Sequence, residues 1–256
     1  MNFIIRVRFC YQRRERLKFL SHLDVLKAFH RAFRRAKLPL LYRGDFNPQP
    51  RLDPGIPLPL GVTSSSEYGE VYLQDIEGNE FLERVTPQIP LGLDIEETAL
   101  VSLEEPALME QINCACYRLY WYIQEPGTGN LEFQEKVLQD TLQKMENAAS
   151  LEVKRRGKKK KKKQRQERIV DIKPYIYHWE GSSLESSLML ELLLQTGNRG
   201  GAAPGEVLNK LREYAGDNSI READRIHRTG LYWYDGEAII PPRPFFREEN
   251  RGKLVR

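Results

Sequence analysis

The stretch Arg13-Arg14-Glu15-Arg16-Leu17-Lys18-Phe19-Leu20-Ser21-His22-Leu23-Asp24, with the basic amphipathic segment after it and the proline-rich run 47–61, decides how this chain is read. Ser21 and Asp24 have the S-x-x-D spacing of a capping box, and Leu20 and Val25 are placed as a hydrophobic staple, so a helix opens at Ser21. Leu23, Leu26, Phe29 or His30, Phe33 and Ala36 recur at three- and four-residue steps. That spacing predicts a helix to about Lys37 with those residues on its buried face. Lys27, Arg31, Arg34 and Arg35 take the other side. Upstream, residues 3–9 read as a strand with Arg6 and Arg8 on one side. Downstream, Pro39 and Asn47-Pro48-Gln49-Pro50 exclude a continuing helix, and Pro54, Pro57 and Pro59 favour extended backbone as far as Gly61.

Working outward, a strand is expected at 67–74, a helix at 77–85 and a strand at 93–103. The rest repeats the order: strand 113–124, helix 130–147, strands 150–156 and 168–179 around a lysine run, strand 187–195, helix 204–215 and a last strand 220–234. Two copies of a split βαβ unit predict an α+β fold of two tandem ferredoxin-like units with a lysine-rich loop in the second. The expected domains are 1–106, with the basic helix, and 107–239, with a disordered basic loop at 154–168. A flexible C-terminal tail, 240–256, is expected after Pro241-Pro242-Arg243-Pro244.

The 256 residues are enough for two ordinary domains, and 40% hydrophobic with 30% charged residues describes a globular chain with a highly charged surface. The opening Met1-Asn2-Phe3-Ile4-Ile5 is cut off at once by Arg6 and Arg8, so no membrane span or signal peptide is expected and the cytoplasm is the expected compartment. Cys10, Cys114 and Cys116 form no disulfide framework. Cys114 and Cys116 would share one strand face as core residues. A metal clip needs four ligands, and the three closely spaced cysteines of an iron–sulfur cluster are lacking, so neither a metal site nor a cofactor is expected.

The net charge of +4 hides strong segregation. Residues 1–51 hold thirteen Arg/Lys against three Asp/Glu, residues 67–105 one against eleven, and residues 154–168 eleven against one. A polyanion suits two basic blocks, and nucleic acid is the commonest. Arg14, Arg16, Lys18, Lys27, Arg31, Arg34, Arg35 and Arg51 are the expected phosphate contacts, with Arg6 and Arg8 extending the track. The plain alternative is a solvated helix face. His22, at the first helical position beside these cations, is the candidate catalytic base for attack of an RNA 2′-hydroxyl on its neighbouring phosphate. Its plain alternative is a histidine that finishes a helix turn.

Tyr117, Tyr120, Trp121 and Tyr122 bring aromatic side chains, but alternate ones must point into the core. Residues 197–204 are glycine-rich before a helix yet lack the lysine and hydroxyl of a P-loop, so a flexible loop is favoured over a phosphate site. The carboxylates between Glu67 and Glu105 show no metal spacing and read as a solvated acidic face open to a basic partner or to the chain's own basic half.

Arg16-Leu17-Lys18-Phe19-Leu20-Ser21-His22-Leu23-Asp24, Phe46-Asn47-Pro48-Gln49-Pro50-Arg51 and Pro57-Leu58-Pro59-Leu60-Gly61-Val62 resemble a bacterial domain-of-unknown-function family described as radical-SAM-linked. The match is close over about residues 5–100. Later agreement is looser, chiefly at Asp171-Ile172-Lys173-Pro174-Tyr175. The resemblance implies a free-standing form of a domain otherwise fused behind a radical S-adenosylmethionine enzyme, with such an enzyme as partner. It marks Ser21, His22, Asp24, Asn47, Pro48, Pro50 and Arg51 as motif positions and assigns them no activity. Gly44-Asp45-Phe46 departs from the family's glycine directly before Phe.

The expected function is therefore an accessory, with no catalysis of its own, that binds RNA or a ribonucleoprotein and presents it to a radical S-adenosylmethionine enzyme. The alternatives are a metal-independent RNA endonuclease using His22 and a protein–protein adaptor without RNA binding.

Overall fold

The computed structural model describes residues 3–74, 76, 80–122, 131–157, 167–216, 219–245 and 252–253. In chain order the elements are β1 (Ile4–Arg13), α1 (His22–Arg35), β2 (Tyr42–Arg43), β3 (Gln49–Pro50), β4 (Leu52–Pro54), β5 (Val62–Gln74), α2 (Glu80–Val85), β6 (Leu93–Val101), β7 (Cys114–Tyr122), α3 (Leu131–Asn147), β8 (Glu152–Arg156), β9 (Glu167–Asp171), β10 (Ile176–Leu184), β11 (Ser187–Gln195), α4 (Pro204–Ala215), β12 (Arg225–Tyr234), β13 (Ala238–Ile240) and β14 (Gly252–Lys253). Sheet and helix are mixed along the chain, as expected of an α+β protein. No helix among the described residues is long and apolar enough to cross a membrane. The chain divides into two compact units, Met1–Ala115 with His227–Arg256, and Cys116–Ile226.

In the first unit β1 is central, antiparallel to β5 on one side and to β6 on the other, with Val7 opposite Val71 and Leu100. Strand alternation sends Val7, Phe9, Tyr11 and Arg13 to the face that meets α1 and α2. There Phe9, Phe29, Phe33 and Phe81 form one aromatic cluster, with Phe9–Phe29 centroids 5.2 Å apart and Phe33–Phe81 centroids 5.6 Å apart. Gly69 faces Phe9 across the ladder, and a Cβ there would lie 2.5 Å from the Phe9 ring. Helix α1 opens as expected: Ser21 accepts the Asp24 N–H at 3.2 Å, and its hydroxyl donates to the Asp24 carboxylate at 2.6 Å. The buried stripe is Val25, Phe29, Ala32 and Phe33, continued by Ala36. Leu23, expected inside, is 65% exposed. The helix is rotated from the expected face because Val25 and Ala32 complete a stripe with Phe29 and Phe33 that matches the sheet better than one through Leu23.

The opposite face of this sheet carries Arg6, Arg8 and Glu70, and the chain covers it with its own later segments. Arg8 donates to the carbonyls of Pro106 and Arg243, and Arg6 to those of Ser102 and Glu105. Phe245 stacks on Tyr68 with centroids 5.5 Å apart. The expected loose tail is corrected at residues 241–245, where Pro241, Pro242 and Phe245 are buried. The apolar Phe245 and the cationic Arg8 fix a proline-rich segment that composition alone reads as a tail. Most of 246–256 lies outside the described residues.

In the second unit the sheet order is β10–β11–β7. Tyr117, Leu119 and Trp121 of β7 are buried with Leu190, Leu192 and Leu194 of β11, and α3 and α4 add Leu138, Leu142, Met145, Val207, Leu208 and Leu211. The expected strand 168–179 is two strands: the chain breaks after Asp171, whose carboxylate accepts from Leu151 N–H at 2.8 Å and Lys173 N–H at 3.0 Å, and Pro174 sits in a short 3-10 turn. Strands β8 and β9 pair from Glu152–Asp171 to Arg156–Glu167, so both ends of the expected loop 154–168 are strand. The lysine run 158–163 lies outside the described residues.

Candidate nucleic-acid interface

The exposed side of α1 carries Asp24, Lys27, Arg31, Arg34 and Arg35, which recur at three- and four-residue steps and so share one face. Lys27 is 3.5 Å from Asp24, and the hydrogen bond from Ser21 holds the Asp24 carboxyl below the usual carboxylate range. Arg35 donates to the Gln88 carbonyl at 2.6 Å. Among the described residues no carboxylate pairs with Arg31 or Arg34. The half-buried His30 lies close enough to Arg34 and Arg43 that its pKa is lowered, first by burial and then by those two cations. Arg43 reaches Asp53 at 3.1 Å. Arg34 from the helix and Arg43 from the hairpin thus both act on His30.

The hairpin joins β2 and β3 antiparallel, with Tyr42 opposite Pro50. Its turn begins at Gly44, whose positive φ of 92° suits glycine. Phe46, Asn47 and Pro48 project as an exposed tip, whereas Pro50 is buried. Arg51 is exposed and its guanidinium lies 3.6 Å from the centre of the Tyr72 ring.

The segment before α1 is held from below by Arg13, whose guanidinium donates to the carbonyls of Leu17, Lys18 and Leu20 at 2.9, 2.7 and 2.5 Å. Gly61 N–H closes on the Lys18 carbonyl at 2.8 Å, tying the two motif loops together. Arg14 pairs with Asp94, and Lys18 pairs with Glu15 while lying over Phe19. Arg16 is exposed and runs along Gly92.

His22 is half-buried and lines a small apolar cavity with Phe9, Tyr11, Val25, Leu52 and Tyr68. Burial lowers its pKa; Glu67 opposes the shift, and Arg13 and Arg228 support it. The neutral imidazole therefore predominates at neutral pH. Beneath it, Arg228 donates to Glu67 at 2.7 Å and to the Ile56 carbonyl at 2.9 Å, all fully buried. Burial likewise pushes the Tyr11 hydroxyl pKa up.

Several expected contacts are placed elsewhere. Arg6 and Arg8 are buried and bound to Glu70, so they offer nothing to a phosphate and the expected track stops short of β1. Glu67 and Glu70 are correspondingly interior and not solvated, and Glu70 meets the chain's own basic half at Arg6 and Arg8. The glycine-rich loop spends its polar groups internally: Glu206 accepts from Ala203 N–H at 2.9 Å and receives both Nε and Nη2 of Arg155 at 2.7 Å, so a carboxylate already occupies the helix start. Cys116 is pushed up to about 12 and Cys10 to about 11, by burial first, which leaves both as thiols. No group of three or more His, Cys, Asp or Glu among the described residues could hold a metal ion.

Sequence reasoning missed Arg13, Glu67 and Arg228. One signal was available: Arg13 continues the alternation Val7, Phe9, Tyr11 and so points to the helix side of the sheet. Nothing local distinguishes Glu67 or Arg228, which meet across 161 positions of sequence.

The first unit thus combines a helix with an exposed basic face and buried arginine–glutamate pairs in an α+β chain. The family model described as "Uncharacterized protein conserved in bacteria (DUF2344)" matches residues 6–204, and the chain belongs to that family. No curated protein matches it.

Proposed function

We propose that this protein binds RNA or a ribonucleoprotein through the exposed face of α1 and presents it to a radical S-adenosylmethionine enzyme. The observation that carries the binding half is the exposed pair Arg31 and Arg34, without carboxylate partners among the described residues and on the same helix face as Lys27 and Arg35. Unneutralised arginines on a rigid element favour phosphate. The enzyme partner rests on the resemblance of the motif loops. The antiparallel order β6–β1–β5, with α1 and α2 between those strands in sequence, supports reading the first unit as ferredoxin-like. The β10–β11–β7 sheet with α3 and α4 supports the same reading of the second.

Charge reversal tests the proposal. Arg31→Glu with Arg34→Glu is expected to weaken binding of structured RNA strongly and to leave binding of the enzyme partner intact, while deletion of 158–163 lowers affinity less. Unchanged RNA affinity in the double variant refutes the RNA reading. A protein adaptor is the second reading, favoured by the exposed Phe19, Leu23 and Leu60 in the motif loops and helix start. On that reading Phe19→Asp with Leu23→Asp loses the protein partner, and the arginine variant does not.

A further inference from the structure

At the Arg118–Tyr122 end of β7 the second unit has a stretch of sheet face that its helices leave open. On β7, Tyr117, Leu119 and Trp121 are buried, and Trp121 lines a cavity of about 120 Å³ with Gln134 and Leu138 of α3. Alternation therefore sends Arg118, Tyr120 and Tyr122 to the other side. Arg118 and Tyr122 are exposed there and Tyr120 is partly exposed. The two tyrosine rings are parallel, with planes 9° apart and centroids 6.2 Å apart. Arg225 of β12 lies with its guanidinium 5.9 Å from the Tyr120 ring. Arg118 pairs with Glu191 at 2.7 Å.

We propose that Tyr120 and Tyr122, flanked by Arg225, form a stacking platform for one or two bases of single-stranded RNA. This rests on the RNA-binding reading above and adds a second contact of a different kind. Aromatic rings on an open sheet face take unpaired bases, because every base has a π-face and a duplex keeps its bases stacked inside. A guanidinium beside the ring adds stacking and positive charge where the backbone must pass. Beside the rings, Arg118 is paired with Glu191, Glu180 stands opposite Glu191 in the β10–β11 ladder, and the Asp224 carboxylate accepts from Tyr122 N–H at 2.7 Å, so carboxylates border the two rings on both sides. The platform is therefore short, and specific for unpaired nucleotides over duplex.

The test compares a single-stranded RNA of about eight nucleotides with a duplex of the same length. Tyr120→Ala with Tyr122→Ala is expected to weaken the single strand about tenfold and to leave the duplex unchanged. Tyr122→Phe, which keeps the ring, is expected to bind as the parent does. Arg31→Glu with Arg34→Glu weakens both ligands. If the arginine variant loses RNA and the tyrosine variant binds the single strand fully, the platform is refuted and the helix reading stands. If the parent binds neither RNA, the helix reading falls and takes the platform with it. Photocrosslinking of iodouridine RNA to the unaltered protein gives a check free of folding effects: adducts on Tyr120 or Tyr122 are expected, and adducts confined to other peptides overturn the assignment.

Discussion

The sheet faces turned away from the helices in the two units carry arginines alike and use them oppositely. In the first unit Arg8 has 0% side-chain exposure against Glu70 at 2%, and carbonyls of covering segments complete its hydrogen bonds. In the second, Arg118 is 44% exposed against Glu191 at 34%, and tyrosines beside it face solvent. A covered arginine is a tie between segments and cannot be spared for a ligand. An uncovered one, such as Arg118 beside Glu191, costs little to leave in water.

The largest expected effect breaks the covered face. Glu70→Ala leaves two buried guanidinium groups without their carboxylate, which should cost about 3–5 kcal/mol in denaturant unfolding. Tyr122→Ala on the open face should stay within about 0.5 kcal/mol of the parent. Equal losses would mean that the faces do not differ as described. Next comes the cover itself: Phe245→Ala removes a buried ring from Tyr68 and should cost about 3 kcal/mol. A neutral result would show that residues 241–245 contribute nothing to the first unit. Ser21→Ala removes the α1 cap and should cost about 1 kcal/mol, read as a lower melting temperature.

The smallest signal is a pH slope. Burial holds His22 below its ordinary value of 6.5, so as pH falls the unfolded chain takes up the proton first. The stability that neutral His22 contributes is complete above that value and is lost as pH falls through it toward the folded value. His30 acts with the same sign. Replacing each histidine by Gln should flatten the fall in the urea midpoint below neutrality, and the double variant should flatten it most. An unchanged profile would place both rings in water.

Much of the fold was legible where local chemistry decides it. Ser21 and Asp24 fixed the start of α1, and the expected bounds 187–195 and 204–215 coincide with β11 and α4. Local pattern failed where distant residues decide. Leu23 fits a helical stripe as well as Val25 does, and only the sheet beneath selects between them. Arg6 and Arg8 look like surface cations until the segments around 102–106 and 241–245 fold over them. The basic stripe could be read because exposed cations need no partner to place them, whereas Glu67 with Arg228 needs both ends of the chain. Tyr120 and Tyr122 were visible as an aromatic run, and the side they face depended on Trp121 meeting α3.

The most direct test of the central claim is the affinity for single-stranded RNA across a salt series, for the parent and for the Arg31→Glu, Arg34→Glu variant. Parent affinity should fall steeply with salt, and the variant should bind more weakly with a slope shallower by roughly one to one and a half units. A variant with the parent's affinity and slope would contradict that claim.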